Sequence, residues 1–276
     1  MNMVNKVIKY LYQFFVVRNV LSLTCYFTLP RQRYISGTAQ TKFGKINYVD
    51  SPTFISGVKE IFVDEIYQVK RWSSNTPIVL DCGANIGISA LYFAKKHHAK
   101  VYAIEADPHI FKVLTKNIDH NCEPGSIQSI NKAVWINEDG VDFDLEGGYS
   151  GQIHQHGHEL VKNSIRIPSI RLRILIKQLG NIDFLKLDIE GAENKVLLDC
   201  KGVLKRINYI FIEYHSNKND PQMLGEILCL LKEEGFRYHI KEAFVSENPF
   251  LETKEMCGMD LQLNIYATNY SFIKND

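Results

Sequence analysis

Two stretches of the chain carry residue types that do chemistry. The first is Asp81-Cys82-Gly83-Ala84-Asn85-Ile86-Gly87, directly after the apolar run Ile78-Val79-Leu80, with Glu105 closing the next apolar run. At the end of the first strand of a βαβ unit, a glycine lets the backbone approach a ligand that a Cβ would block. A carboxylate at the end of the second strand can accept both hydroxyls of a ribose. The pattern is a nucleoside-cofactor cradle, and its spacing selects the cofactor. A dinucleotide fingerprint reads G-x-G-x-x-G, but Asn85 stands at the middle glycine, which leaves a poor pyrophosphate site. Asp81 would repel a phosphate and attract the ammonium and sulfonium of S-adenosylmethionine. The stretch therefore predicts a methyl donor. Glu105 alone also permits an NAD-type nucleotide-sugar oxidoreductase.

The second stretch is Asp183-Phe184-Leu185-Lys186-Leu187-Asp188-Ile189-Glu190-Gly191-Ala192-Glu193. A buried strand over 184–187 would deliver Asp188 and Glu190 to its carboxyl end, the edge where ligands bind in open α/β sheets. Glu193 opens a helix, where it could serve only to complement the helix dipole. A further apolar run, 209–212, delivers Glu213 and His215 to the same edge. A methyl acceptor such as a sugar hydroxyl is a weak nucleophile that needs alignment and a base. His215 is the first candidate base because its ordinary pKa lies near working pH, with Glu213 or Glu190 orienting it or taking the proton instead. Asp188, Glu190 and Glu213 could alternatively hold Mg²⁺ against acceptor oxygens.

Positioning these residues takes an open sheet. Apolar runs at 78–80, 101–106, 126–134, 184–187 and 209–212 alternate with helical spacing at 86–97, 108–120, 172–179, 193–198 and 221–235. Strands separated by helices of that length form right-handed βαβ units, which predicts an α/β, Rossmann-like fold with a mostly parallel sheet. Later strands are expected at 238–245 and 261–266, the second alternating as an antiparallel strand would. Residues 135–145 alternate about Asn137-Glu138-Asp139-Gly140, a hairpin signal. Residues 147–168 read as a polar loop over the site's mouth. Its His154, His156 and His158 would share one face of a strand, so a metal site there is a second reading.

Ahead of the catalytic domain, placed at 75–270, residues 1–74 read as a helical extension and lid. Val4, Val7, Ile8, Leu11 and Phe15 recur at helical spacing, and apolar residues continue to Leu29. Arg18 interrupts that run at a cost of about 2.5–3.5 kcal/mol inside a bilayer, which argues against a span. No small-residue cleavage site follows, which argues against a signal peptide. Residues 1–29 would pack on the domain, on a second subunit or on a membrane surface. A strand at 45–49 and a helix over 56–71 complete the lid.

The 45% hydrophobic content can supply a full core for one large domain in 276 residues. A net charge of +1, with no basic stripe, disfavours a nucleic-acid substrate. The six cysteines form no C-x-x-C pair and fall mostly in apolar runs, which predicts reduced core thiols and a cytoplasmic protein.

With these residues assembled, the chain resembles the FkbM-type S-adenosylmethionine-dependent methyltransferases. The matching pieces are the 79–87 turn, Glu105 before Asp107-Pro108, Asn131-Lys132-Ala133-Val134, the 183–193 stretch and Glu213-Tyr214-His215, spanning roughly 77–268. The D-x-E-G-A-E run is more specific than the glycine turn. The resemblance implies a seven-stranded class I methyltransferase fold with helices on both faces. It implies cofactor contacts from Asp81, Gly83, Ala84, Asn85, Gly87, Glu105 and Ala133, and catalysis by Asp188, Glu190, Glu213 and His215. It also implies O-methylation of a hydroxyl on a sugar, glycan or natural product. A competing reading is a non-catalytic module that holds the cofactor and acts through its N-terminal helix.

Overall fold

In the computed structural model, residues 29, 32–144, 152–153 and 164–274 are described. The first 28 residues and most of 145–163 lie outside them, and with them the amphipathic helix and the three alternating histidines. The chain opens with a hairpin, β1 (Gly37–Thr41) and β2 (Gly44–Tyr48), then α1 (Ser51–Val58), which widens into a π-turn at Lys59–Val63. The expected 56–71 helix is therefore displaced toward the N-terminus. Asp50 starts it by accepting from the Thr53 N–H, with Pro52 in the first turn, and Glu65 at φ 49° ends the helical path.

The alternation follows as β3 (Ile78–Cys82), α2 (Ile88–His97), β4 (Lys100–Glu105), α3 (Pro108–Asn121) and β5 (Ile127–Asn131). Asp107 caps α3 through two backbone N–H groups, and Pro108 takes its first turn. Short strands come next: β6 (Ala133–Trp135), β7 (Val141–Asp144), β8 (Gln152–Ile153), β9 (Ser164–Ile167) and β10 (Ser169–Arg171). The 126–134 strand is thus two strands, and β6 leaves the main sheet to pair with β10. The hairpin expected at 137–140 does not form either, since β7 pairs with β8 and β9. The Ser169 hydroxyl accepts from the Gly140 N–H and donates to the Asn137 carbonyl, so this turn is anchored on the returning chain.

The second half runs α4 (Leu172–Leu179), β11 (Ile182–Leu187), α5 (Glu193–Asp199), β12 (Ile207–Asn217), α6 (Leu224–Glu233), β13 (Phe236–Phe244), β14 (Met259–Asn269) and α7 (Tyr270–Lys274). The seven-stranded sheet has the order β5-β4-β3-β11-β12-β14-β13. Pairings from β5 to β12 are parallel, whereas β14 is antiparallel to both of its neighbours, so the sheet is mixed rather than mostly parallel throughout. The physical reason is the connection. No crossover helix joins β13 to β14, and without one the chain can only return antiparallel. The order reverses beside β3, which puts a crevice at the carboxyl ends of β3, β4 and β11.

Each face of the sheet carries its own core. One joins α2 and α3 to Val79, Val101, Phe184 and Phe211, the other α4, α5 and α6 to Leu80, Leu185 and Ile210. The first core also contains Ile46, Tyr48, Phe54, Val58, Phe62 and Tyr67; the hairpin packs on α3, and Tyr67, after α1, reaches Phe184 and Phe211 on the sheet. The described part of the N-terminal segment is therefore a hairpin, whose β2 is the strand expected at 45–49, and a short helix. Of the cysteines, Cys82 and Cys200 are buried, but Cys229 and Cys257 are exposed, so the expected core placement holds only in part. No helix among the described residues is long and apolar enough to cross a membrane.

Candidate active site

The crevice is an open cleft, with about 690 Å³ of empty space counted out to the solvent at its mouth. Gly83, Asn85, Glu105, Ala133, Asp188 and Glu190 all line it. Glu105 is held by two backbone donors, the Asn85 N–H and the Asp107 N–H, each at 2.8 Å. Burial pushes its carboxyl up to about 7, against the pull of those two bonds. Each oxygen thus accepts one backbone donor and has a second lone pair. The Asn131 amide donates to the carbonyls of Glu105 and Ala106 and so fixes the cleft's floor.

Asp81, Ala84 and Gly87 are not in this lining. Asp81 is fully buried, accepts from the Ser89 hydroxyl at 2.6 Å, and faces Lys186 Nζ at 3.5 Å. The cation it meets belongs to the protein, not to a ligand. Ala84 is buried behind the turn, and Gly87 (φ 93°) caps α2, where a Cβ would lie 2.6 Å from Leu114. Gly83 (φ 79°) lines the cleft, yet a Cβ there would collide with the Asp188 carbonyl oxygen. Its glycine makes room for β11 as much as for a ligand.

The expected acids converge beside the cleft. Glu190, at φ 54° before Gly191 at φ 96°, sits in a left-handed bend that carries its carboxylate toward His215, with Oε2 at 3.8 Å from Nε2. β12 continues past residue 212, so Glu213 and His215 are strand residues on one face, 4.0 Å apart. Burial pushes Glu190 and Glu213 up to about 8, and repulsion from Asp188 adds to it. Burial works against an imidazolium at His215, but Glu193, Glu190 and Asp188 overcome it and raise that group to about 10. His215 is thus a cation at neutral pH and cannot take a proton there, unlike the base that its ordinary pKa suggests.

Several residues here went unassigned in the sequence. Glu193 does more than complement a helix dipole: it accepts from the Ile189 and Gly191 N–H groups and holds His215 Nδ1 at 3.1 Å. Lys186 lies inside β11 with its ammonium among Gly83, Asp188 and Asp81. Gln262 on β14 donates to Glu213. Glu60, from the π-turn, is close enough to feel Asp188, and burial raises its pKa. For Glu193 and Lys186 the signal was a charged residue inside or beside a buried run. For Glu60 and Gln262 there was none.

A family profile described as Methyltransferase FkbM domain matches residues 81–238. Methyltransferase sdnD of Sordaria araneosa is 27% identical over 177 residues, covering 52% of this chain and 67% of that protein. Hexuronic acid methyltransferase AglP of Haloferax volcanii is 26% identical over 157 residues, covering 56% of this chain and 62% of that protein, so the match spans less than two thirds of AglP. Among solved structures, M. jannaschii TYW2 in complex with AdoMet has a TM-score of 0.45 at 14% identity, covering 87% of each chain. The profile takes in the glycine turn, Glu105, the 183–193 stretch and His215, and it covers more than half of the sequence: the chain belongs to the FkbM methyltransferase family.

Proposed function

We propose that this S-adenosylmethionine-dependent methyltransferase methylates a hydroxyl oxygen on a sugar, glycan or other small natural product. One observation carries the reading: a single cleft is lined at one end by Glu105, built to accept ribose hydroxyls, and at the other by Asp188 and Glu190, acids suited to a hydroxyl acceptor. The name of one relative, a hexuronic acid methyltransferase, agrees with a small acceptor. Bound S-adenosylmethionine supplies a methyl group on a positively charged sulfur, which needs no activation by the protein. Glu105, Gly83, Asn85 and Ala133 would hold the nucleoside end. The acceptor hydroxyl is aligned at the Glu190 end, where the ionised form of Glu190, which gains population as pH climbs toward about 8, takes its proton beside the imidazolium of His215, fixed by Glu193. Glu213, tied by Gln262, stands beside His215, next to the cleft rather than in its lining.

Mg²⁺ fits this edge poorly. Of the expected trio, Asp188 and Glu213 converge with His215 in place of Glu190, their ligand atoms within 4.8 Å of one another. Mg²⁺ prefers an all-oxygen shell, whereas this group includes the imidazole of His215, and Asp188 already faces Lys186 at 3.0 Å. Activity is expected to survive EDTA treatment. The reading keeps the enzyme in the cytoplasm. Docking of residues 1–29 on a membrane or a second subunit lies outside the described residues save Leu29, which is buried in the core.

The test is calorimetric titration with S-adenosylhomocysteine and with NAD, then a screen of sugar and glycan acceptors with labelled methyl donor. Micromolar binding of the first ligand, none of NAD, and label recovered as a methyl ether are expected. NAD binding would revive the oxidoreductase reading. Donor binding without product from any acceptor class would favour the non-catalytic module.

A further inference from the structure

All six residues of β11 are buried, and one of them is a lysine. Lys186 pairs in register with Asp81 on β3 and Phe211 on β12, at the centre of the sheet, and its side chain is only 4% exposed. Its ammonium hydrogen-bonds to the Gly83 carbonyl at 2.8 Å and pairs with Asp188 at 3.0 Å and Asp81 at 3.5 Å. A lysine ammonium has three N–H donors, and three oxygens surround it. The Gly83 carbonyl accepts a hydrogen bond from it, and the two carboxylates face it as ion partners. Stability alone is a weak reason for such an arrangement, because buried ion pairs are often no better than apolar packing of the same volume.

The partners supply the better reason. Gly83 lines the cleft from β3, and Asp188 lines it from the end of β11. These two chain segments join the nucleoside end of the cleft to its acidic end, and Lys186 is a side chain that holds both at once. We propose, on the methyltransferase reading above, that Lys186 is a positioning residue that locks the cofactor turn and Asp188 into one geometry. Without the ammonium, Asp81 and Asp188 would repel each other across its empty place, Asp188 would swing from the cleft wall, and the Gly83 carbonyl would lose its anchor. Burial opposes the charge, but Asp188 and Asp81 outweigh it and keep Lys186 protonated well beyond the ordinary lysine range, which supports a fixed cation here.

The experiment measures melting temperature and S-adenosylhomocysteine affinity for the wild-type chain, Lys186→Met, and the double variant Asp81→Asn/Lys186→Met, all at a temperature where circular dichroism shows them folded. Lys186→Met fills the same volume without the charge and should lower both quantities, affinity by about tenfold or more. The double variant removes the deepest stranded carboxylate and should regain most of the stability while its affinity stays low, a split that a purely structural role would not produce. Wild-type affinity in the double variant would overturn the proposal, leaving Lys186 as a counter-charge for Asp81. Failure of the wild-type chain to bind S-adenosylhomocysteine would instead bring down the methyltransferase reading and this inference with it, a result no variant can mimic.

Discussion

Glu105 illustrates how far a single side chain can be argued. Both of its oxygens already accept backbone N–H groups, so its direction is set before a ligand arrives. Ribose hydroxyls donate better to the ionised carboxylate, so binding favours loss of the proton that burial retains up to about 7. The affinity for S-adenosylhomocysteine should therefore rise as pH climbs through about 7 and level off above it. Glu105→Gln should flatten that profile and cost about 1.5–3 kcal/mol of binding at high pH, read by calorimetry across pH. Glu190 supplies the contrasting case. If it takes the acceptor's proton, Glu190→Gln should lower kcat by about 10²- to 10⁴-fold while S-adenosylhomocysteine affinity changes little; an unchanged kcat would move the proton to Glu213.

Elements, rather than residues, decide how close these groups come. The turn after β3 and the end of β11 touch at Gly83, where a left-handed backbone and a neighbouring carbonyl exclude any side chain. Gly83→Ala should cost about 1–2 kcal/mol for the backbone and about 1–3 kcal/mol more for the collision, measured by urea unfolding. A loss under about 1 kcal/mol would mean that the strand ends separate easily. The opposite side of the turn is held by α3. Asn117 is fully buried, accepts from the Asn47 N–H at 2.7 Å, and donates to the carbonyls of Asn47 and Ile86 at 2.9 and 2.8 Å. Asn117→Ala should strand these groups at about 1–3 kcal/mol each, and it should loosen β2 and the cofactor turn together in hydrogen exchange.

At the scale of the whole molecule, the N-terminal segment is part of the sheet's packing. Phe62 and Tyr67 meet Tyr92 edge-on, and Tyr67 also packs on Phe184 and Phe211 from the central strands. A chain beginning at residue 75 would expose that aromatic surface. Such a fragment should show helical far-ultraviolet dichroism but no cooperative thermal transition, and it should bind hydrophobic dyes. A sharp transition would instead establish 75–270 as an independent domain.

Sequence alone determined the βαβ rhythm, the glycine turn, the strand-end Glu105 and the cluster of acids at one sheet edge, because period, turn chemistry and strand-end placement are local properties. The ends of α4 and α5 were legible for the same reason. Pairing was not. Whether β6 joined the main sheet or β10, and whether residues 137–140 made a hairpin, depended on Pro168 and Ser169 returning some thirty residues later. Charge states were not legible either. His215 reads as a base from its ordinary pKa, and only the three carboxylates that folding gathers around it make it a cation. The same holds for Asp81, whose partner is Lys186, about a hundred residues away in sequence and adjacent in the sheet. Which charge faces a ligand and which is spent inside the protein is a matter of distance in space, and tertiary structure alone decides it.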